Sequence, residues 1–188
     1  MSGESPMNRR EAVRTTTLLL GGVWLTTTGV LVACARDAER AGASVLTPDD
    51  QALMEEIADT LLPTTASSPG AKAAGVGPVI NLLLTDCYKP DAQDRVVDGL
   101  KDFRKKCDER CGGSFATVPK AKREQFLREI DAEAKKAGDK HYFQLVREVS
   151  LNSYFTSQVG MTQALRYVLT PGRWVGCVPL QPGQPAWG

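Results

Sequence analysis

Five cysteines, Cys34, Cys87, Cys107, Cys111 and Cys177, and a single histidine, His141, are the residues of this 188-residue chain best suited to metal ligation, redox exchange or nucleophilic catalysis. Their spacing supports little of that chemistry. A structural zinc site calls for paired CxxC units and a zinc protease for HExxH; neither pattern occurs. Covalent haem needs CxxCH, and the scattered thiols do not follow ferredoxin spacing. His141 falls at a helix start beside Tyr142, with no acid or nucleophile at a catalytic spacing, and reads as a structural or solvated histidine. Ser157, in YFTSQVG, lacks the flanking glycines of a nucleophile elbow. The loop PGAKAAGVG has neither GxGxxG nor a strand before it, so it is not a dinucleotide cradle. The residues therefore assign no catalytic, cofactor-binding or metal site to this chain.

What the same side chains can do is narrower. Leu31-Val32-Ala33-Cys34 closes an apolar run and resembles a lipobox, in which small residues admit a signal peptidase that cuts before a cysteine destined for lipid. Each buried methylene of such an anchor contributes about 0.8 kcal/mol. An uncleaved transmembrane anchor is the competing reading, because the run approaches spanning length. Upstream, Arg9 and Arg10 with Arg14 precede a weakly apolar stretch diluted by threonine and glycine, the profile of a twin-arginine export signal. Glu11, Ala12 and Val13 stand where such signals usually carry a bulky apolar pair.

An exported chain meets an oxidising compartment, and with Cys34 lipidated the other thiols can form bridges. Cys107 with Cys111 would be a strained pair on one helical face, leaving Cys87 with Cys177; other pairings, packed free thiols, and a bridge from Cys177 to another subunit stay open. In Tyr154–Tyr167, YFTSQVGMTQALRY, the hydroxyls of Tyr154, Thr156 and Ser157 are expected to cap a helix break around Gly160. Aromatic rings with polar tips suit a contact surface. Tyr154, Phe155, Thr156, Ser157 and Tyr167, with Trp174 and Trp187 further on, are the expected partner interface.

The elements that must position these residues are helical. Thr47 reads as an N-cap with Pro48 at the first helical position, and Leu53, Ile57 and Leu61 recur four apart to form an apolar face ending at Pro63. A helix starting at Pro78 runs through VINLLLTDCY, apolar nearly all round and therefore expected to be central and buried. In DAQDRVVDGLKDFRKKCDERCGG, Val96, Leu100, Phe103, Cys107 and Cys111 share a face, and Gly112 and Gly113 end the helix. A fourth helix from about Pro119 to Lys136 buries Phe126, Leu127, Ile130 and Ala134. A fifth begins near Lys140 with Tyr142, Leu145, Val146 and Val149 inward. No convincing strand alternation occurs, so the fold class is all-α, with about five or six helices.

Beyond Leu169 the sequence TPGRWVGCVPLQPGQPAWG suits neither a helix nor a central strand. An extended tail is expected over 170–188. Leaving Trp174, Val175, Val178, Leu180 and Trp187 in water costs about 25 cal/mol per Å² of apolar area. The tail should therefore pack on its own helices or on a partner.

Composition sets the limits. At 42% hydrophobic and 24% charged, the chain has one modest core. With 23 Lys and Arg against 22 Asp and Glu, it has no net field to recruit nucleic acid. Charge runs such as RKKCDER alternate in sign, as solvated helix faces do. The organisation is then a signal over 1–34, a tether over 35–44, and a helical domain with its tail over 45–188.

Three stretches, LTPDDQALMEEIADTLLP followed by SPGAKAAGV, then VREVSLNSYFTSQVGMTQALRY, then TPGRWVGCVPLQPGQPAWG, make residues 45–188 resemble the gluconate 2-dehydrogenase subunit 3 family. The second resembles a Y-[YF]-T-S-E-x-G segment, with Gln158 in place of the glutamate. The resemblance implies a non-catalytic helical accessory subunit of an exported sugar, gluconate or glucoside dehydrogenase. It implies no cofactor in this chain and FAD in a large oxidoreductase of the glucose-methanol-choline type, often with a c-type cytochrome as electron acceptor. Export of the folded flavoprotein alongside this chain would account for Arg9 and Arg10, and a lipid at Cys34 would hold the complex at the periplasmic face of a membrane. The alternative is a free-standing helical envelope lipoprotein that binds a ligand or acts as a scaffold.

Overall fold

The computed structural model describes residues 44–170, 172 and 175–187; Arg9, Arg10, Cys34 and Trp174 lie outside the described residues. Among the described residues five α-helices follow one another: α1 (Pro48–Leu61), α2 (Val76–Cys87), α3 (Pro90–Cys111), α4 (Lys120–Ala137) and α5 (Tyr142–Phe155). A 3-10 turn, Gly138–Lys140, joins α4 to α5, and a π-helical turn, Gly160–Ala164, follows α5. No strand occurs among the described residues, so the chain is all-α.

Local chemistry sets the helix ends. Thr47 and Asp50 form a capping box at α1, with the Thr47 hydroxyl accepting from the Asp50 amide at 3.1 Å and Pro48 in the first turn. Lys89-Pro90 starts α3, and Gly112, at φ 76°, ends it in the left-handed region that a side chain rarely adopts. At α5 the cap is His141, whose Nδ1 accepts from the Phe143 amide at 3.2 Å.

Helix α5 is the centre, packing against α1, α2, α3 and α4. Tyr142, Phe143, Leu145, Val146, Val149 and Tyr154 are all buried along it. Against it lie Met54, Ile57 and Ala58 of α1, Val76, Ile80 and Leu84 of α2, Val96, Leu100, Phe103 and Cys107 of α3, and Phe126, Leu127, Ile130 and Ala134 of α4. Phe103 meets Phe115 and Phe126 edge to face at 5.1 and 5.0 Å, the arrangement that ring quadrupoles prefer. A β-carbon at Gly99 would fall 2.1 Å from Cγ of Tyr142, so only glycine lets the start of α5 lie this close to α3.

Two expectations need correction. α2 begins at Val76, ahead of Pro78, and is an outer helix: Val79 is exposed and Leu82 is 60% exposed, while only Val76, Gly77, Ile80 and Leu84 are buried. An apolar run by itself does not distinguish a central helix from one with an apolar outer face. In α1 the buried face is Met54, Ile57 and Ala58, rotated from the expected stripe, which leaves Leu53 and Leu61 half-buried.

Candidate partner-docking surface

The stretch Tyr154–Tyr167 divides into an inner and an outer part. Tyr154 is buried, at 3% exposure, and its hydroxyl donates to the Pro69 carbonyl at 2.6 Å while the Ser68 hydroxyl lies at 2.6 Å. The ring thus joins α5 to the α1–α2 loop and contributes to packing, away from the helix break it was expected to cap. Phe155 is half-buried and stacks edge-on to Tyr154 at 5.1 Å. Thr156 is exposed, and its hydroxyl donates back to the Asn152 carbonyl at 2.6 Å.

Ser157 carries the break itself. Its hydroxyl donates to the Tyr154 carbonyl at 2.7 Å and accepts from the Gly160 amide at 3.0 Å, bonding both sides of the point where α5 gives way to the π turn. With both roles occupied by backbone, the hydroxyl caps a helix end. Gly160 sits so close that a β-carbon would fall 2.0 Å from the Tyr154 carbonyl oxygen.

Past the π turn the side chains face outward. Tyr167, Val168, Leu169, Val175, Val178, Leu180 and Trp187 are exposed, Leu169 and Leu180 by more than four-fifths. The described part of the tail therefore leaves its large apolar side chains exposed to water. Its end returns to its beginning: the Arg166 amide donates to the Ala186 carbonyl at 2.7 Å, and the Arg166 guanidinium lies 4.3 Å from the centre of the Trp187 ring. Arg166 escaped sequence reasoning because a cation–aromatic pair at this separation along the chain leaves no periodic signal.

All four described thiols are free. Cys87, at the end of α2, and Cys177, in the tail, are exposed; Cys107 is buried and Cys111 is half-buried. Burial, then the neighbouring Cys111, pushes the Cys107 thiol up to about 12, and that thiol donates to the Gly113 carbonyl at 3.5 Å. It is a packed thiol. His141 is held below its ordinary value by burial first and Lys106 second, consistent with a neutral ring that accepts at Nδ1.

A cleft of about 570 Å³ between α1, α3 and the loops after them is lined by Leu53, Glu56, Lys72, Arg104 and Phe115. Glu56, Lys72 and Arg104 are engaged in ion pairs. Glu56 pairs with Lys72 and, at 2.9 Å, with Arg123, and Arg104 reaches Asp50 at 2.6 Å. Among the described residues, no group of three or more His, Cys, Asp or Glu could hold a metal ion.

The loop between α1 and α2 is not built as a dinucleotide cradle. The glycine-bearing loop follows helix α1, not a strand, and Gly70 packs against its own chain, where a β-carbon would meet the Thr64 amide nitrogen at 2.6 Å. A pyrophosphate needs open backbone amides at a strand-to-helix turn.

A core of helices with exposed apolar side chains beyond it defines a small all-helical protein. The model of the family described as gluconate 2-dehydrogenase subunit 3 matches residues 48–172, and the chain belongs to that family. Its role is that of an accessory subunit, which implies an oxidoreductase partner. No curated protein and no solved structure matches the chain.

Proposed function

We propose that this chain is the non-catalytic small subunit of a membrane-associated, FAD-dependent dehydrogenase acting on a sugar, gluconate or glucoside, and that it exports, stabilises and tethers the flavoprotein. The observation that carries this reading is the set of exposed apolar side chains Tyr167, Val168, Leu169, Val175, Val178, Leu180 and Trp187 in a member of a subunit family. Such side chains in water favour association, and large aromatic residues commonly anchor interfaces. The exposed faces of Val79 and Leu82 on α2 add a second apolar area.

In this reading FAD belongs to a large partner of the glucose-methanol-choline type, and a c-type cytochrome takes the electrons. Arg9 and Arg10 direct export through the twin-arginine route, and a lipid on Cys34 holds the mature chain at the periplasmic face of the membrane. This chain's own residues perform no redox step; they bind and position. The experiment is affinity purification of the tagged full-length chain from solubilised membranes of its native host. A stoichiometric flavoprotein with sugar- or gluconate-dependent dye reduction is expected. A monodisperse monomer with no flavin would overturn the reading. Arg9→Lys with Arg10→Lys should leave unprocessed chain and flavoprotein together in the cytoplasm, and Cys34→Ala should release the complex from membranes.

A further inference from the structure

The described residues beyond Leu165 form an arm closed at its neck, not a loose end. Arg166 fixes the neck through its amide bond to Ala186 and through its guanidinium over Trp187. A tight turn at Gly183, φ 75°, closed by the Gln184 amide on the Gln181 carbonyl at 3.1 Å, sends the chain back toward that neck. Between neck and turn, residues 167–170 and 175–180 make no backbone hydrogen bond to another described residue, and their large apolar side chains are exposed. The family match covers residues 48–172, so Val175–Trp187 lies outside it.

We propose that this arm docks into an apolar groove of the oxidoreductase partner that is flanked by carboxylates and offers its own backbone groups to the arm. The proposal rests on the accessory-subunit reading above and names how and where contact is made. Two observations select the occupant. The first is the unpaired backbone. Hydrocarbon has nothing to pair with extended amides and carbonyls, which excludes burial of such a segment in lipid. A protein groove or sheet edge pairs with them while pockets take alternate side chains. The second is charge. No Asp or Glu follows Glu148 in the sequence, and Arg166 and Arg173 are the only charged side chains in the last forty residues, in a chain balanced as a whole at 23 basic and 22 acidic residues. A partner surface carrying carboxylates complements that sign. The closed neck reduces the freedom the arm must give up on docking, which favours affinity.

The test uses the full mature chain, free and in its purified complex with the flavoprotein, with hydrogen exchange read at the amides of residues 167–170, 175–178 and 180. In the free chain these amides should exchange at the rate of unpaired backbone. In the complex they should slow by at least about tenfold, as amides acquiring hydrogen bonds do. The triple variant Val175→Ala, Val178→Ala, Leu180→Ala should keep the melting temperature of the free chain yet bind the flavoprotein at least about tenfold more weakly, since apolar anchors dominate such contacts. Added salt should weaken binding further. Equal binding by the triple variant, with arm amides unprotected in a complex that still forms, overturns the arm but not the subunit reading; a wild-type chain that binds no flavoprotein overturns both. Protection by phosphatidylglycerol vesicles, in place of the flavoprotein, also overturns the proposal.

Discussion

The Tyr154 hydroxyl donates to the carbonyl of Pro69 across 2.6 Å, joining the last turn of the central helix to the loop that precedes α2. The Ser68 hydroxyl at 2.6 Å completes the contact. Tyr154→Phe keeps the ring and removes this bond, leaving the Pro69 carbonyl with the Ser68 hydroxyl, at 3.1 Å, as its donor. A loss of about 1 kcal/mol is expected in urea unfolding. Binding of the flavoprotein by the folded variant should be unchanged, because the ring lies inside the chain.

Tyr142 gives the opposite sign. It is buried over Gly99, and its hydroxyl has no hydrogen-bond partner among the described residues. Burial keeps this phenol protonated well above its ordinary value. Tyr142→Phe removes a buried polar atom without breaking a bond and should raise stability by up to about 1 kcal/mol. Urea unfolding of the two Tyr→Phe variants side by side checks both signs.

Gly160 has no room for a methyl group. At 2.0 Å from the Tyr154 carbonyl oxygen, an added β-carbon meets backbone, which cannot rotate away. Gly160→Ala should cost about 2–3 kcal/mol as overpacking does. It should also displace the π turn from which the arm departs, so that partner binding falls along with the melting temperature.

Acid should weaken the fold through α1. The Lys72 ammonium bonded to Glu56 holds that carboxyl below its ordinary 4.5; burial opposes this, and Arg123 adds to it. At Asp50 burial pushes the other way, but the Thr47 hydroxyl and the Arg104 guanidinium together bring the carboxyl below 3.8. Both folded-state values lie under the unfolded ones, so on acidification the unfolded chain takes up protons first. The stability these groups contribute is complete above pH 4.5 and is lost as pH falls through the lowered values. Lys72 is more than half exposed, which makes its pair the weaker of the Glu56 contacts. Thermal unfolding of Asp50→Asn and Glu56→Gln should start lower at neutral pH and show a shallower acid limb than wild type.

Thiol reactivity should follow burial. Exposed Cys87 and Cys177 should be alkylated by iodoacetamide within the first minutes, and Cys107, buried and with its thiol pushed up to about 12, only after unfolding. Peptide mass spectrometry of the reduced protein after timed labelling gives the order. Early labelling of Cys107 in folded protein would contradict its packing against the Gly113 carbonyl.

The helices were legible because their signals are local. The Thr47–Asp50 capping box, Pro48 in the first turn, the Gly112 stop and the four-and-three spacing of Val96, Leu100, Phe103 and Cys107 each lie within a few residues, and the structure realises them all. The buried sets of α4 and α5 follow the same periodicity. The position of α2 was not legible. An apolar run specifies that a helix can be buried, but whether Leu82 finds a neighbour depends on how many other helices compete for the centre, and α5 occupies it.

The sequence alone determined the all-helical class, the helix ends, the membership in a subunit family and the departure of an extended segment after Leu169, because capping, periodicity and proline placement act over one or two turns. Tertiary structure decided which aromatics face in and which face out. Tyr154 and Tyr167 belong to one polar, aromatic stretch, yet Tyr154 is drawn inward by a hydroxyl and a carbonyl 86 and 85 residues away in sequence, while Tyr167 remains exposed. It also closed the arm by bringing Trp187 over Arg166. Contacts made across such distances depend on where the helices stack, and no window of neighbouring residues carries that information.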